Sequence, residues 1–114
     1  MQGDTTGLSD KLKNRIRESL KALHPEKVIV FGSCARGQAG RASDIDPIIV
    51  LDSNVVPTTY REKMMNRLRV RRALDALNQD YALDVLVCAL PEWKRLQDSG
   101  STFAKEVASE GVEV

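Results

Sequence analysis

Asp44-Ile45-Asp46 is the stretch of this chain best equipped for chemistry. Carboxylates two apart on an extended segment point to the same side. Two such groups held together repel unless one is protonated or a cation bridges them, and an all-oxygen donor set favours Mg²⁺ or Mn²⁺. A third carboxylate, Asp84, sits between Leu83 and Val85 in an apolar run. A charge in such a run needs a partner. If its strand neighbours the one that carries Asp44 and Asp46, three carboxylates converge. Such a cluster can hold two divalent ions that clamp a nucleoside triphosphate and activate an attacking hydroxyl. Upstream, Gly32-Ser33 ends the apolar run 27–31, and ten residues separate Ser33 from Asp44. A strand that runs into Gly-Ser and then a helix leaves unpaired backbone N–H groups that suit phosphate, and glycine lets the backbone come close.

These residues need elements to position them. Residues 27–31 and 44–51 read as strands, and the continuous apolar half of the second predicts burial on both faces. Residues 81–88 read as a third strand that carries Asp84. Before the first strand, Leu8, Leu12, Ile16, Leu20 and Leu23 form one helical stripe, which His24-Pro25 should stop. Residues 34–39 could form a short helix. Residues 58–78 form the longest helical candidate, with Arg61, Lys63, Arg67, Arg69, Arg71 and Arg72 against Glu62. Its apolar residues fall in two groups, Met64, Met65 and Leu68 on one side and Val70, Ala73, Leu74 and Leu77 nearly opposite. Either the helix bends, or one face packs inside and the other meets a partner. The arginines are spread round the helix, which predicts a solvated face. Pro91 can open a further helix, Gly100 interrupts it, and residues 102–109 read as the last one. The alternation of helices and strands argues an α/β (α+β) domain, with helices flanking a small sheet of three or more strands.

Composition narrows the function. The chain has 114 residues, which suits a single domain over 1–114, with 17 Lys+Arg against 16 Asp+Glu. A net charge of +1 and 4% aromatic residues argue against nucleic acid as a partner. No apolar run spans a bilayer and no signal-peptide pattern opens the chain, so no membrane partner is expected and the expected place is the cytoplasm. Cys34, Cys88 and the single His24 cannot make a zinc site of their own. The glycines of Gly32-Ser33-Cys34-Ala35-Arg36-Gly37 are followed by Gln38-Ala39, which rejects a Walker A loop, and neither G-x-G-x-x-G nor G-x-S-x-G occurs.

Taken together, residues 30–37 (Val-Phe-Gly-Ser-Cys-Ala-Arg-Gly), Ser43-Asp44-Ile45-Asp46 and Leu83-Asp84-Val85 resemble the minimal nucleotidyltransferases of the DNA polymerase β superfamily. The signature there is G-S, ten residues, D-x-D, and a third carboxylate on a later strand. The resemblance runs from about residue 27 to 88. It implies the nucleotidyltransferase fold and transfer of a nucleoside monophosphate, usually AMP from ATP, to a hydroxyl. It places Gly32, Ser33, Arg36 and Ser43 on the nucleotide and its phosphates. Asp44, Asp46 and Asp84 become the catalytic and metal-binding residues for Mg²⁺ or Mn²⁺. Larger members carry extra domains for their acceptors, so the resemblance implies that a partner chain supplies the acceptor here. In many bacteria and archaea that partner is a helical HEPN-domain toxin, with the nucleotidyltransferase as its antitoxin; a homo-oligomer is the other assembly to expect. The alternative is a weak or inactive antitoxin that neutralises a HEPN-type partner by contact, and a nucleic-acid-processing module is a third reading. One departure stands out: Pro47 occupies the place of an apolar residue such as Leu. The strand should survive it with a missing hydrogen bond or a bulge.

Overall fold

The computed structural model describes residues 10–31 and 44–114. The order is α1 (Asp10–Leu20), a 3₁₀ turn (Lys21–Leu23), β1 (Lys27–Phe31), β2 (Asp44–Leu51), α2 (Tyr60–Ala73), α3 (Asp75–Asn78), β3 (Ala82–Leu83), β4 (Leu86–Ala89), α4 (Leu90–Asp98), α5 (Thr102–Glu110) and β5 (Val112–Glu113). The expected helix at 34–39 lies outside the described residues.

The strands make one mixed sheet. β2 is central, antiparallel to β1 on one side and parallel to β3 and β4 on the other; β5 closes the far edge against β1. Period-two alternation sorts the sheet into two apolar faces. On one, Val28, Val30, Ile45, Ile49 and Leu51 pack with Leu12, Ile16 and Leu20 of α1 and with Val70, Leu74 and Leu77. On the other, Ile29, Ile48, Val50 and Cys88 pack with Trp93 of α4 and Val107 of α5. The apolar half of β2 is therefore buried on both faces, as its sequence predicts. Ile49 and Val50 have no exposed surface at all, and each such side chain contributes about 1.5–3 kcal/mol to the folded state.

Local signals account for the helix ends. His24 leaves the right-handed region before Pro25 and stands at φ 48°, ψ 56°, with its N–H donating to the Lys21 carbonyl. Thr59 caps α2 with a reciprocal box, in which its hydroxyl accepts from the Glu62 N–H at 3.1 Å while the Glu62 carboxylate accepts from the Thr59 N–H. Hydrogen bonds from the Thr58 backbone and hydroxyl, then from those of Thr59, hold Glu62 below the ordinary carboxylate range. Gly100, at φ 68°, turns the chain between α4 and α5, where Ser101 caps the new helix.

Three elements differ from expectation. The candidate helix 58–78 is two helices that break at Leu74. Val70, Leu74 and Leu77 go to the core, whereas Met65 and Leu68 stay exposed; the two apolar groups could not both face the sheet. The third strand is split into β3 and β4. The C-terminal end, where no strand was expected, supplies β5, which only pairing with β1 could reveal.

Cys88 shows how firmly α4 closes its face. Burial, then the charge of Glu92, pushes its thiol from 9.0 up to about 11. A raised value in the folded state favours the neutral thiol. That contribution is complete below pH 9.0 and is lost as pH climbs towards about 11. In a Cys34→Ser background, the stability margin of the chain over its Cys88→Ala variant should shrink across that window in denaturant titrations. The native Cys88 thiol should also resist alkylation at neutral pH until the chain unfolds.

Candidate active site

The site is assembled at the N-terminal end of β2. β1 ends at Phe31 and β2 begins at Asp44, and Phe31 pairs directly with Asp46. Across β2, Asp44 and Ile45 pair with Ala82 and Leu83, and Ile48 pairs with Leu86 in the same register. That register carries through the gap and sets Asp84 level with Asp46. Parallel neighbours at one level lie about 4.8 Å apart and show the same face. Phe31, Asp46 and Asp84 thus stand in one row across the sheet. Alternation along β2 adds position 44 to the same face; the side chain of Asp44 lies outside what is described.

Among the described residues, helices α4 and α5 pack on this face around Ile29, Ile48, Val50 and Cys88, and α5 reaches the row at Phe31. Asp46 is half-buried and Asp84 exposed. Phe31 closes the β1 side of the row, its ring edge-on to Phe103 at 5.6 Å and 78°. Two carboxylates level on one face, with a third position two residues away, offer oxygen donors only. Its chemistry fits Mg²⁺ or Mn²⁺. Among the described residues taken alone, no group of three or more His, Cys, Asp or Glu side chains comes together. Gly32, Ser33, Arg36 and Ser43 lie outside the described residues.

Pro47 explains the split third strand. β2 passes through it unbroken, opposite Val30. The Asp84 N–H donates to the Ile45 carbonyl at 2.9 Å. In a regular parallel ladder the next bond would run from the N–H of residue 47 to the Asp84 carbonyl. Proline has no such donor, and strand pairing lapses at Asp84 and Val85. The missing hydrogen bond expected from the sequence therefore falls beside Asp84, not within the D-x-D strand.

A cleft of about 360 Å³ opens beside the row, lined by Arg67, Arg71, Leu74, Asn78, Leu83, Asp84, Val85 and Val87. A second, of about 200 Å³, continues past Lys63 and Arg67 along Leu86 to Ala89. The arginines of α2 are thus not all spread: Lys63, Arg67 and Arg71 line up along the edge of the sheet. Sequence reading missed this row, although the spacing of four residues could have shown it.

A family model described as a nucleotidyltransferase domain matches residues 11–92. The chain belongs to this family. Among solved structures it is similar to one titled "Crystal structure of the toxin-antitoxin with AMP-PNP", at a TM-score of 0.56 and 20% identity. That likeness covers 89% of this chain and 70% of the other, and it supports the same fold. Curated protein sequences give no significant match. No described helix is long and apolar enough to cross a membrane.

Replacing Pro47 with Val restores the donor and should join β3 to β4. A new hydrogen bond adds about 0.5–1.5 kcal/mol, but losing the proline constraint removes about 0.4–1 kcal/mol. Net stability should therefore change little. Amide exchange is the decisive measurement, with a protected N–H expected at residue 47 and slower exchange through Val85.

Proposed function

We propose that this nucleotidyltransferase transfers AMP from ATP to a hydroxyl on a partner protein, as the antitoxin of a HEPN-type toxin. The observation that carries the reading is the register that sets Asp84 level with Asp46 on one face of the sheet. Two supports accompany it: the family of the chain, and a structural neighbour whose title names a toxin–antitoxin with AMP-PNP.

In this reading Asp44, Asp46 and Asp84 hold Mg²⁺ or Mn²⁺. A divalent cation held there would supply neutralisation of the charge that gathers on the phosphates. Gly32 and Ser33 present backbone and hydroxyl donors to the triphosphate, with Arg36 and Ser43 as further contacts. Asp84, at the outer edge of the row, takes the proton of the acceptor hydroxyl. The acceptor oxygen bonds to the α-phosphorus, the bond from that phosphorus to the bridging oxygen breaks, and pyrophosphate leaves with that electron pair. Most of the rate comes from alignment and charge neutralisation.

A second reading rests on Pro47. The ladder lapses at Asp84, so a chain that neutralises its partner by contact alone is the competing account. Incubation of the purified chain with Mg²⁺, ATP and its partner separates the two. Adenylyl transfer should appear as a mass addition on the partner and should fall by about two orders of magnitude or more in Asp46→Asn and Asp84→Asn. Tight association that survives all three Asp→Asn changes, with no mass addition by the unaltered chain, would establish contact alone.

A further inference from the structure

The edge of the sheet beside Asp84 has no strand partner among the described residues, because β3 and β4 pair only with β2. The direction of its free groups follows from the ladder. The Asp84 N–H faces β2, so alternate residues Leu83, Val85 and Val87 turn their backbone groups the other way, towards the outside. These three residues line the 360 Å³ cleft. The second cleft continues the groove along Leu86 to Ala89.

Helix α2 runs beside this edge in the opposite direction. Arg71 stands near Leu83 to Val87, and Lys63 near Leu86 to Ala89. Among the described residues the only ion pairs are Arg15–Asp80 and Lys27–Glu113, so Lys63, Arg67 and Arg71 have no ion-pair partner there. Glu92, the acid at the far end of the groove, accepts from the Ala89 N–H at 2.9 Å. Cations four residues apart on a helix repeat about every 6 Å. Side chains on one face of a strand repeat about every 6.6 Å. The two spacings match over the two steps from Lys63 to Arg71.

We propose that this groove takes an extended acidic segment of a partner protein, added as one more strand on the free edge of β3 and β4. Backbone groups of Leu83, Val85 and Val87 hold the segment, while its acids meet Lys63, Arg67 and Arg71. Alternation then sets the order of its residues. A residue level with Asp84 shares the Asp84 face, and its neighbours on either side point to the cations. The segment is therefore acid–hydroxyl–acid, with the hydroxyl delivered beside Asp84. This last point rests on the transferase reading; the docking does not. The chain's own Met1 to Ser9 carries a single acid, Asp4, and cannot supply such a pattern. A second copy docked edge to edge would oppose two like-charged rows.

The test uses the full chain without ATP or Mg²⁺. The probe is a labelled peptide that alternates Glu with Thr, compared with one of equal composition whose Glu residues are contiguous. The alternating peptide should bind more tightly, and amide exchange at Leu83, Val85 and Val87 should slow on binding. Arg67→Glu with Arg71→Glu should weaken binding about ten-fold or more, with circular dichroism unchanged. Should the double variant unfold, an alternating peptide N-methylated on the amides that face the sheet edge serves instead and should fail to bind. Equal binding of both peptides, unaltered exchange at the three amides, or protection that depends only on protein concentration overturns the proposal. Calorimetry of Mg²⁺-ATP on the same chain keeps the two readings apart. ATP bound without peptide docking defeats this proposal alone, and peptide docked without ATP binding defeats the transferase reading alone.

Discussion

The burial of β2 on both faces is the constraint on which the rest depends. From Ile48 to Leu51 its side chains fill the core on both sides. A slip of one residue would exchange the faces and bring Asp46 into the position of a buried apolar side chain. With the register locked in this way, Ile45 stays in the core on one face and Asp46 falls, half-buried, on the other, just before Ile48. The apolar half of β2 thus anchors the sheet, and its first residues become a platform for carboxylates.

Pro47 stands at the boundary between these halves. A proline in a central strand removes a ladder bond, and here the lost bond faces the third strand. The antiparallel partner β1 keeps its register through Val30 and Phe31. Asp46 therefore remains in a regular strand, and the consequence is passed to Asp84. The same gap leaves the outer edge near Asp84 short and interrupted. Short, interrupted edges flanked by cations are how sheets avoid indiscriminate pairing. The Lys63, Arg67 and Arg71 row serves that purpose against copies of this chain while favouring an acidic strand.

Much of the fold is legible along the chain because its signals are local. The stripe from Leu12 to Leu20, the apolar runs 27–31 and 44–51, and punctuation by Pro25, Pro91 and Gly100 need only neighbouring residues. The two apolar groups of 58–78 signalled a bend or a second face, but the place of the break at Leu74, the split at Asp84–Val85 and the strand at Val112–Glu113 were not legible. Each depends on a partner distant in sequence: the sheet under Val70 and Leu77, Pro47 across the ladder, and β1 along the edge. The cationic row was legible in part. Its four-residue spacing is in the sequence, but what it faces is not.

The amino-acid sequence by itself determined the type of chemistry. Residue types are intrinsic, so the three carboxylates Asp44, Asp46 and Asp84, and Gly32-Ser33 ten residues before the first of them, are present before any folding. The tertiary structure alone decided the alignment of Asp84 with Asp46. That alignment depends on the register between strands separated by the whole of α2 and α3, which core packing sets and no local preference encodes. The structure also decided which cations of α2 face the sheet edge, because Val70 and Leu74 had to turn inward first.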